Sequence, residues 1–272
     1  MAHPSAGELG PQDVVFIAVK GLALASVASS LSPLLTESTV VVPAMNGIPW
    51  WFCERVDEFQ GKRLRSVDHD GSIASAIPTD HVLGCVIHGS AQQIEPGLVE
   101  ETMWQQIIIG EPFGGSSARA ESLVKLLTAA GCAAVSSSDV RSEIWYKLWG
   151  NMTMNPVSAL TGATIDQILE DPLVRAFCSA AMREAAEVGA RIGCPIEQTP
   201  EDRHEVTAKL GAFKTSMLQD VEAGRQLELD AIVTAVHEIA RRLDLPTPNI
   251  DALLGLTRLF GRMRGLYSRG EN

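Results

Sequence analysis

The stretch AAVSSSDVRSEIWYKLWGNMTMNP, residues 133–156, decides how the chain folds. Its opening, Ala133 to Ser137, reads as a short strand, and from Arg141 to Asn155 the spacing turns helical. Strand signals lie upstream of this point and vanish downstream, so the chain is α/β first and all-α afterwards. The helical part also carries chemistry. Lys147, Asn151 and Asn155 recur at four-residue steps, and each such step turns only about 40° around a helix. They share one stripe, next to Leu148, Trp149 and Met152. A cation and two amides facing a common cleft can hold a small oxygen-rich molecule and hand it a proton. Asn is a poor mid-helix residue because its amide competes for backbone partners, so two on one stripe cost stability unless they bind something. Pro156 removes a donor and crowds the carbonyl of Met152, so the helix is expected to kink or end there.

Upstream, Val14 to Val19 is a continuous apolar run, the pattern of a strand covered on both faces. Leu22 to Leu35 has helical periodicity and stops near Pro33, and Thr39 to Val42 is β-branched, so a β-α-β unit opens the pattern. A polar stretch follows from Asp57 to Asp80. Val82 to His88 and Gln105 to Ile109 are expected strands, with a turn at Glu95-Pro96-Gly97. Ser116 to Ala130 is an amphipathic helix closed by Gly131. Downstream, Pro172 to Ile192, Glu201 to Ala223, Glu228 to Leu243 and Ile250 to Met263 carry helical spacing. The expected domains are 1–138 and 139–272.

Bulk properties narrow the function. A formal charge of −11 and a pI near 5.0 argue against nucleic acid or an anionic membrane as partner. No apolar run nears the ~20 residues that span a bilayer, and the start lacks a secretory pattern. Cys53, Cys85, Cys132, Cys178 and Cys194 form no C-x-x-C pair and read as reduced core thiols of a cytoplasmic protein. The six His show no metal spacing, so no metal is expected.

Other positions compete for a role. Asn46, in Met45-Asn46-Gly47, falls beyond the carboxyl end of a strand, where open parallel sheets bind ligands. Lys20 stands in the same kind of position. Ser216 reads either as a helix cap or as a hydroxyl offered to a carboxylate. Glu228 follows Gly224 and suits a helix start, where the dipole favours an acid. The run Gly110 to Gly115 lacks a phosphate-loop pattern and reads as a strand-to-helix turn.

Taken together, Ala18-Val19-Lys20, Met45-Asn46-Gly47, Lys147-Leu148-Trp149-Gly150-Asn151 with Asn155-Pro156, Ser216-Met217-Leu218-Gln219-Asp220 and Glu228-Leu229-Asp230 resemble the ketopantoate reductase (2-dehydropantoate 2-reductase) family. Their order and spacing match over most of the chain. The resemblance implies an incomplete Rossmann-like N-terminal domain followed by a helical domain of the 6-phosphogluconate dehydrogenase C-terminal type. It implies NADPH-dependent reduction of a 2-oxo acid, ketopantoate in pantothenate and coenzyme A synthesis being the best-known setting. In that scheme Lys147 is catalytic, while Asn151, Asn155 and Ser216 bind substrate with it. Lys20, Asn46, Ser90 and Glu228 contact the cofactor, Glu228 also orienting a substrate hydroxyl and keeping Lys147 charged. A homodimer through the helical domain is compatible with it.

Two departures stand out. The family's opening strand, G-x-G-x-x-G turn and helix are not represented, and Gly10-Pro11-Gln12-Asp13 resembles its lead-in to a later strand. A truncated reading frame, and so a partial nucleotide site, is the expectation. Ile165 stands near where the family often has a further Asn. Alternatives therefore remain open: a reductase of another 2-oxo acid, or a non-catalytic remnant.

Overall fold

The computed structural model describes residues 5–268, apart from the side chains of 92, 93 and 102. The chain divides into two compact units, residues 1–52 with 70–144, and 53–69 with 145–272.

In the first unit, β1 (Val14–Ile17) leads through α1 (Leu24–Ser30) to β2 (Val40–Pro43). The two strands pair in parallel, Val14 opposite Val40. The helix expected from Leu22 to Leu35 is three pieces, α1 flanked by single 3-10 turns at Gly21–Ala23 and Ser32–Leu34. Pro33 lies in the second of these, where a missing donor matters little. After α2 (Ser72–Ala76), a parallel bridge from Val41 to Val82 brings in β3 (Gly84–Glu95), which turns back into β4 (Leu98–Gly110). The hairpin turn falls at the expected Pro96-Gly97, with Gly97 at φ 84°. Then α3 (Ala118–Ala129) crosses over to β5 (Ala134–Ser137), parallel to β4. Ser117 caps α3 by accepting from the Ala120 N–H at 3.2 Å. The core is Val40, Val42, Leu83, Cys85, Ile107 and Ile109, covered by Ala120 and Leu123 of α3.

Two glycines launch the next helix. Gly84 and Gly110 are partners across the β3–β4 ladder. A Cβ on Gly84 would fall 2.6 Å from Val140 Cγ1, and one on Gly110 2.9 Å from Val140 Cβ. Val140, fully buried, therefore seats the start of α4 (Val140–Thr161) against that pair. The turn from Gly110 to Gly115 is a strand-to-helix connection as expected. Its Glu111 carboxylate accepts from Arg119 Nε at 2.7 Å, Arg119 Nη2 at 2.6 Å and the Ser117 hydroxyl at 2.5 Å, which ties the turn to the start of α3.

The second unit holds α4 from Trp145 onward, α5 (Ile165–Glu170), α6 (Pro172–Arg191), α7 (Pro200–Ala208), α8 (Ser216–Glu222), a π-helical turn (Asp230–Thr234), α9 (Ala235–Arg242) and α10 (Pro248–Met263). Met154, Val157, Ile165, Ile168, Cys178 and Leu253 form one of its cores. The single helix expected from Glu201 to Ala223 is two. Between them Gly211 takes φ 62°, and the carbonyls of Gly211 and Phe213 accept the Asp166 and Ile165 N–H groups at the start of α5. That backbone use explains both the break and α5, which periodicity missed.

Residues 53–69 are more than a polar stretch. Val56, Phe59 and Leu64 are buried. The Arg65 and Ser66 N–H groups donate to the Glu238 carboxylate at 3.0 and 2.8 Å, and the Arg242 guanidinium lies 5.2 Å from the Phe59 ring centroid. All five cysteines are free thiols, four of them buried.

Candidate active site

The stripe on α4 survives intact, because the helix is continuous from Val140 to Thr161. Lys147 and Asn151 are half-buried and Asn155 is 5% exposed. Of the two outcomes expected at Pro156, a kink or an end, the helix does not end there. Proline removes one internal bond, and residues from Met152 to Ala159 are buried all round, so packing outweighs that loss. The flanking apolar residues fix the helix's rotation. Trp149 is buried and its indole N–H donates to the Met182 carbonyl of α6 at 2.6 Å. On the adjoining row, Gly150 admits the Arg203 guanidinium of α7, since a Cβ there would lie 2.8 Å from Arg203 Nε. The same guanidinium stacks 4.9 Å from the Tyr146 ring centroid. Behind the stripe, burial pushes the Cys178 thiol up to about 12, so it stays protonated.

Ser216 lies at the first position of α8 and is exposed. The cap is Thr215, buried, whose hydroxyl accepts from the Leu218 N–H at 3.2 Å. Of the two readings open in the sequence, capping is thus excluded for Ser216. Asp220, 2% exposed, pairs with Arg225 Nε at 2.8 Å and ties the end of α8 to the next loop.

Glu228 is half-buried between two anchored leucines, Leu227 and Leu229, at 1% and 0% exposure. The helix it precedes opens with the π-helical turn rather than an ordinary α-turn. Asp230 in that turn accepts from the Tyr267 hydroxyl at 2.6 Å and the Thr234 hydroxyl at 3.0 Å. Burial first, then this carboxylate, pushes the Tyr267 phenol well above its ordinary range. The Asp230–Tyr267 pair was missed in the sequence, where nothing marks a contact 37 residues long.

Lys147, Asn151, Asn155, Ser216 and Glu228 thus all belong to the second unit, while Lys20, Asn46 and Ser90 belong to the first. Lys20 is exposed just past β1. Asn46 is half-buried beyond the end of β2, beside Gly47 at φ 86°, a turn that lets backbone approach a ligand closely. Ser90 is half-buried on β3, next to a register shift at Ser90/Ala91. Ile165 is a core residue at 2% exposure, so it takes no part in polar recognition.

A nicotinamide dinucleotide needs donors for its ribose and nicotinamide end and a glycine-rich turn for its pyrophosphate. Asn46, Lys20 and the Gly47 turn, at strand ends of a parallel pair, fit the first requirement. Among the described residues no glycine-rich turn meets the second: β1 passes through Ala18-Val19-Lys20 and one 3-10 turn into α1. The Ser179 hydroxyl and His204 Nε2, 3.0 Å apart, are a buried contact between α6 and α7. Burial first, then Arg175, holds His204 below its ordinary range.

Comparison with known proteins identifies the family. Residues 1–113 match the family model described as ketopantoate reductase PanE/ApbA, and residues 139–260 match its C-terminal counterpart. A 2-dehydropantoate 2-reductase of Mesorhizobium japonicum is 41% identical over 268 residues, covering 98% of this chain and 82% of the relative. A crystal structure of a Ralstonia solanacearum MolK2 protein superposes with a TM-score of 0.93 at 55% identity, covering 97% of this chain and 81% of that one. The 2-dehydropantoate 2-reductase of Geobacter metallireducens GS-15 gives 0.81 at 25% identity, covering 95% and 80%.

Proposed function

Since the chain belongs to the ketopantoate reductase family, we propose that it reduces the ketone of a 2-oxo acid, ketopantoate first, to the 2-hydroxy acid. NADPH is the cofactor, and when bound it supplies the hydride. The observation that supports the site is the unbroken α4, which keeps Lys147, Asn151 and Asn155 on one face through Pro156.

The chemistry asked of the residues is simple. As the ketone carbon is reduced, its oxygen gains negative charge. The Lys147 ammonium lies against that oxygen, stabilises the charge and delivers the proton from Nζ. The amides of Asn151 and Asn155 donate to other substrate oxygens and fix the ketone's orientation. Ser216, whose hydroxyl is not spent on a cap, donates to the carboxylate. Glu228 accepts from a substrate or ribose hydroxyl. Asn46, Lys20 and Ser90 hold the ribose and nicotinamide end of the cofactor.

The test is Lys147→Ala in NADPH oxidation with ketopantoate. Loss of a general acid costs about 10²–10⁴-fold in turnover, with thermal stability unchanged. A wild-type rate in that variant contradicts the assignment. A second reading, reduction of a different 2-oxo acid, is favoured by the apolar, buried Ile165 near where the family often has an amide. A panel of 2-oxo acids differing beyond C2 distinguishes the two by kcat/KM.

A further inference from the structure

The C-terminal segment beyond α10 returns onto the residues around Glu228. At the end of α10 the Leu266 N–H donates to the Gly261 carbonyl at 2.8 Å, reversing the chain. From there three bonds reach back. The Leu227 N–H donates to the Leu266 carbonyl at 2.8 Å, and Gln226 Nε2 to the Gly265 carbonyl at 2.9 Å. The Tyr267 hydroxyl donates to Asp230 Oδ1 at 2.6 Å. These bonds fall on both sides of Glu228: Gln226 and Leu227 before it, Asp230 after it.

We propose that this strap, closed by Tyr267 on Asp230, is a positioning device that sets the Glu228 carboxylate for ligand binding. It rests on the role given to Glu228 above. Three observations carry it. First, Asp230 sits in a π-helical turn, a rare form that occurs frequently at functional sites. Second, Asp230 Oδ1 accepts from two hydroxyls, Tyr267 from the returning chain and Thr234 from the turn itself, so one carboxylate oxygen ties the strap to the turn. Third, the strap closes only because Gly261 lacks a side chain. A Cβ there would lie 2.7 Å from Tyr267 Cβ and 3.2 Å from Leu227 Cδ1. The phenol is further seated by Arg262, whose guanidinium lies 6.0 Å from its ring centroid. Glu228 is thus held between two fixed flanks and its side chain starts from a fixed backbone. Tyr267 touches no ligand; it acts through the π-turn.

The experiment compares Tyr267→Phe, Glu228→Gln and the double variant in the full chain. It reads kcat/KM for ketopantoate and, independently of turnover, the affinity for pantoate by calorimetry. Displacing a positioned group by a fraction of an ångström costs on the order of tenfold in kcat/KM, with a similar loss of affinity. Because Tyr267 acts through Glu228, the double variant should lose no more than Glu228→Gln alone. Gly261→Ala and Asp230→Ala should repeat the Tyr267→Phe loss, and Asp230→Asn, which keeps an oxygen acceptor, should recover most of it. The proposal is overturned by losses that add in full in the double variant, or by a lowered melting temperature with kcat/KM and affinity unchanged while Glu228→Gln is impaired. If wild-type protein neither turns over nor binds pantoate, or Glu228→Gln matches wild type, the reading of the site itself falls and takes the strap with it.

Discussion

The stripe on α4 and the loop carrying Glu228 hold polar groups by opposite means. On α4 the helix itself does the aiming: Lys147, Asn151 and Asn155 are spaced by its period, and buried Leu148, Trp149 and Met152 fix its rotation. Around Glu228 there is no such regularity. Its backbone is fixed by a tyrosine 37 residues beyond Asp230 and by carbonyls of the returning chain. The first kind of site tolerates loss of a local bond, as Pro156 demonstrates. The second depends on one or two long-range contacts and is correspondingly easy to disturb.

The comparison can be broken most sharply on α4. Asn155→Leu is close in size and leaves the helix in place, yet removes an amide; kcat/KM for the 2-oxo acid should fall roughly 10²-fold with the melting temperature nearly unchanged. Unchanged kinetics would mean that the amide is structural. Next in size is an overpacking change on the helix that supports α4. A Cβ on Gly189 would collide with the Trp145 indole and lie 2.7 Å from the Cys194 carbonyl. Gly189→Ala should therefore cost about 1–3 kcal/mol of stability in denaturant unfolding, and no loss would show that α6 can shift freely.

A third change concerns how the 53–69 segment is held. Burial alone would raise the Glu238 carboxyl, but the Ser66 and Arg65 N–H groups, with Arg242, outweigh it and hold the group below its ordinary range. A depressed carboxylate stabilises the fold above its unfolded pKa, and that contribution is lost as pH falls through the folded value. Glu238→Gln should cost about 1–3 kcal/mol at neutral pH. The gap to wild type should close on acidification, and a gap that does not vary with pH would contradict this. The smallest effect is chemical. Cys178, fully buried and pushed up to about 12, should resist a thiol reagent in the folded protein while half-buried Cys132 reacts. Equal rates at the two sites would show local opening of the core at α6.

The same contrast explains what could be read from the residues in advance. The alternation of strands and helices, the hairpin turn at Pro96-Gly97 and the helical stripe follow from periodicity and turn chemistry, which are local. The family resemblance rests on short motifs that sit on those local elements. Several features stayed hidden, most of them because they depend on distant backbone. Gly211 and Phe213 lend carbonyls to α5 and so break the helix expected from Glu201 to Ala223. Thr215, not Ser216, takes the cap, a choice between neighbours that sequence alone leaves open. The stretch from Asp57 to Asp80 looks polar in sequence, yet the Arg65 and Ser66 amides within it serve Glu238 of α9. The π-turn and its Tyr267 contact belong to the same class.

The central claim is that the ammonium of Lys147, aimed by α4, meets the ketone oxygen of a bound 2-oxo acid. A crystal structure with ketopantoate or pantoate bound tests it most directly. The account predicts Lys147 Nζ about 3 Å from the oxygen on C2, with Asn151 and Asn155 on other oxygens of the same molecule. A ligand seated elsewhere, or bound with Lys147 turned away from that oxygen, would contradict it.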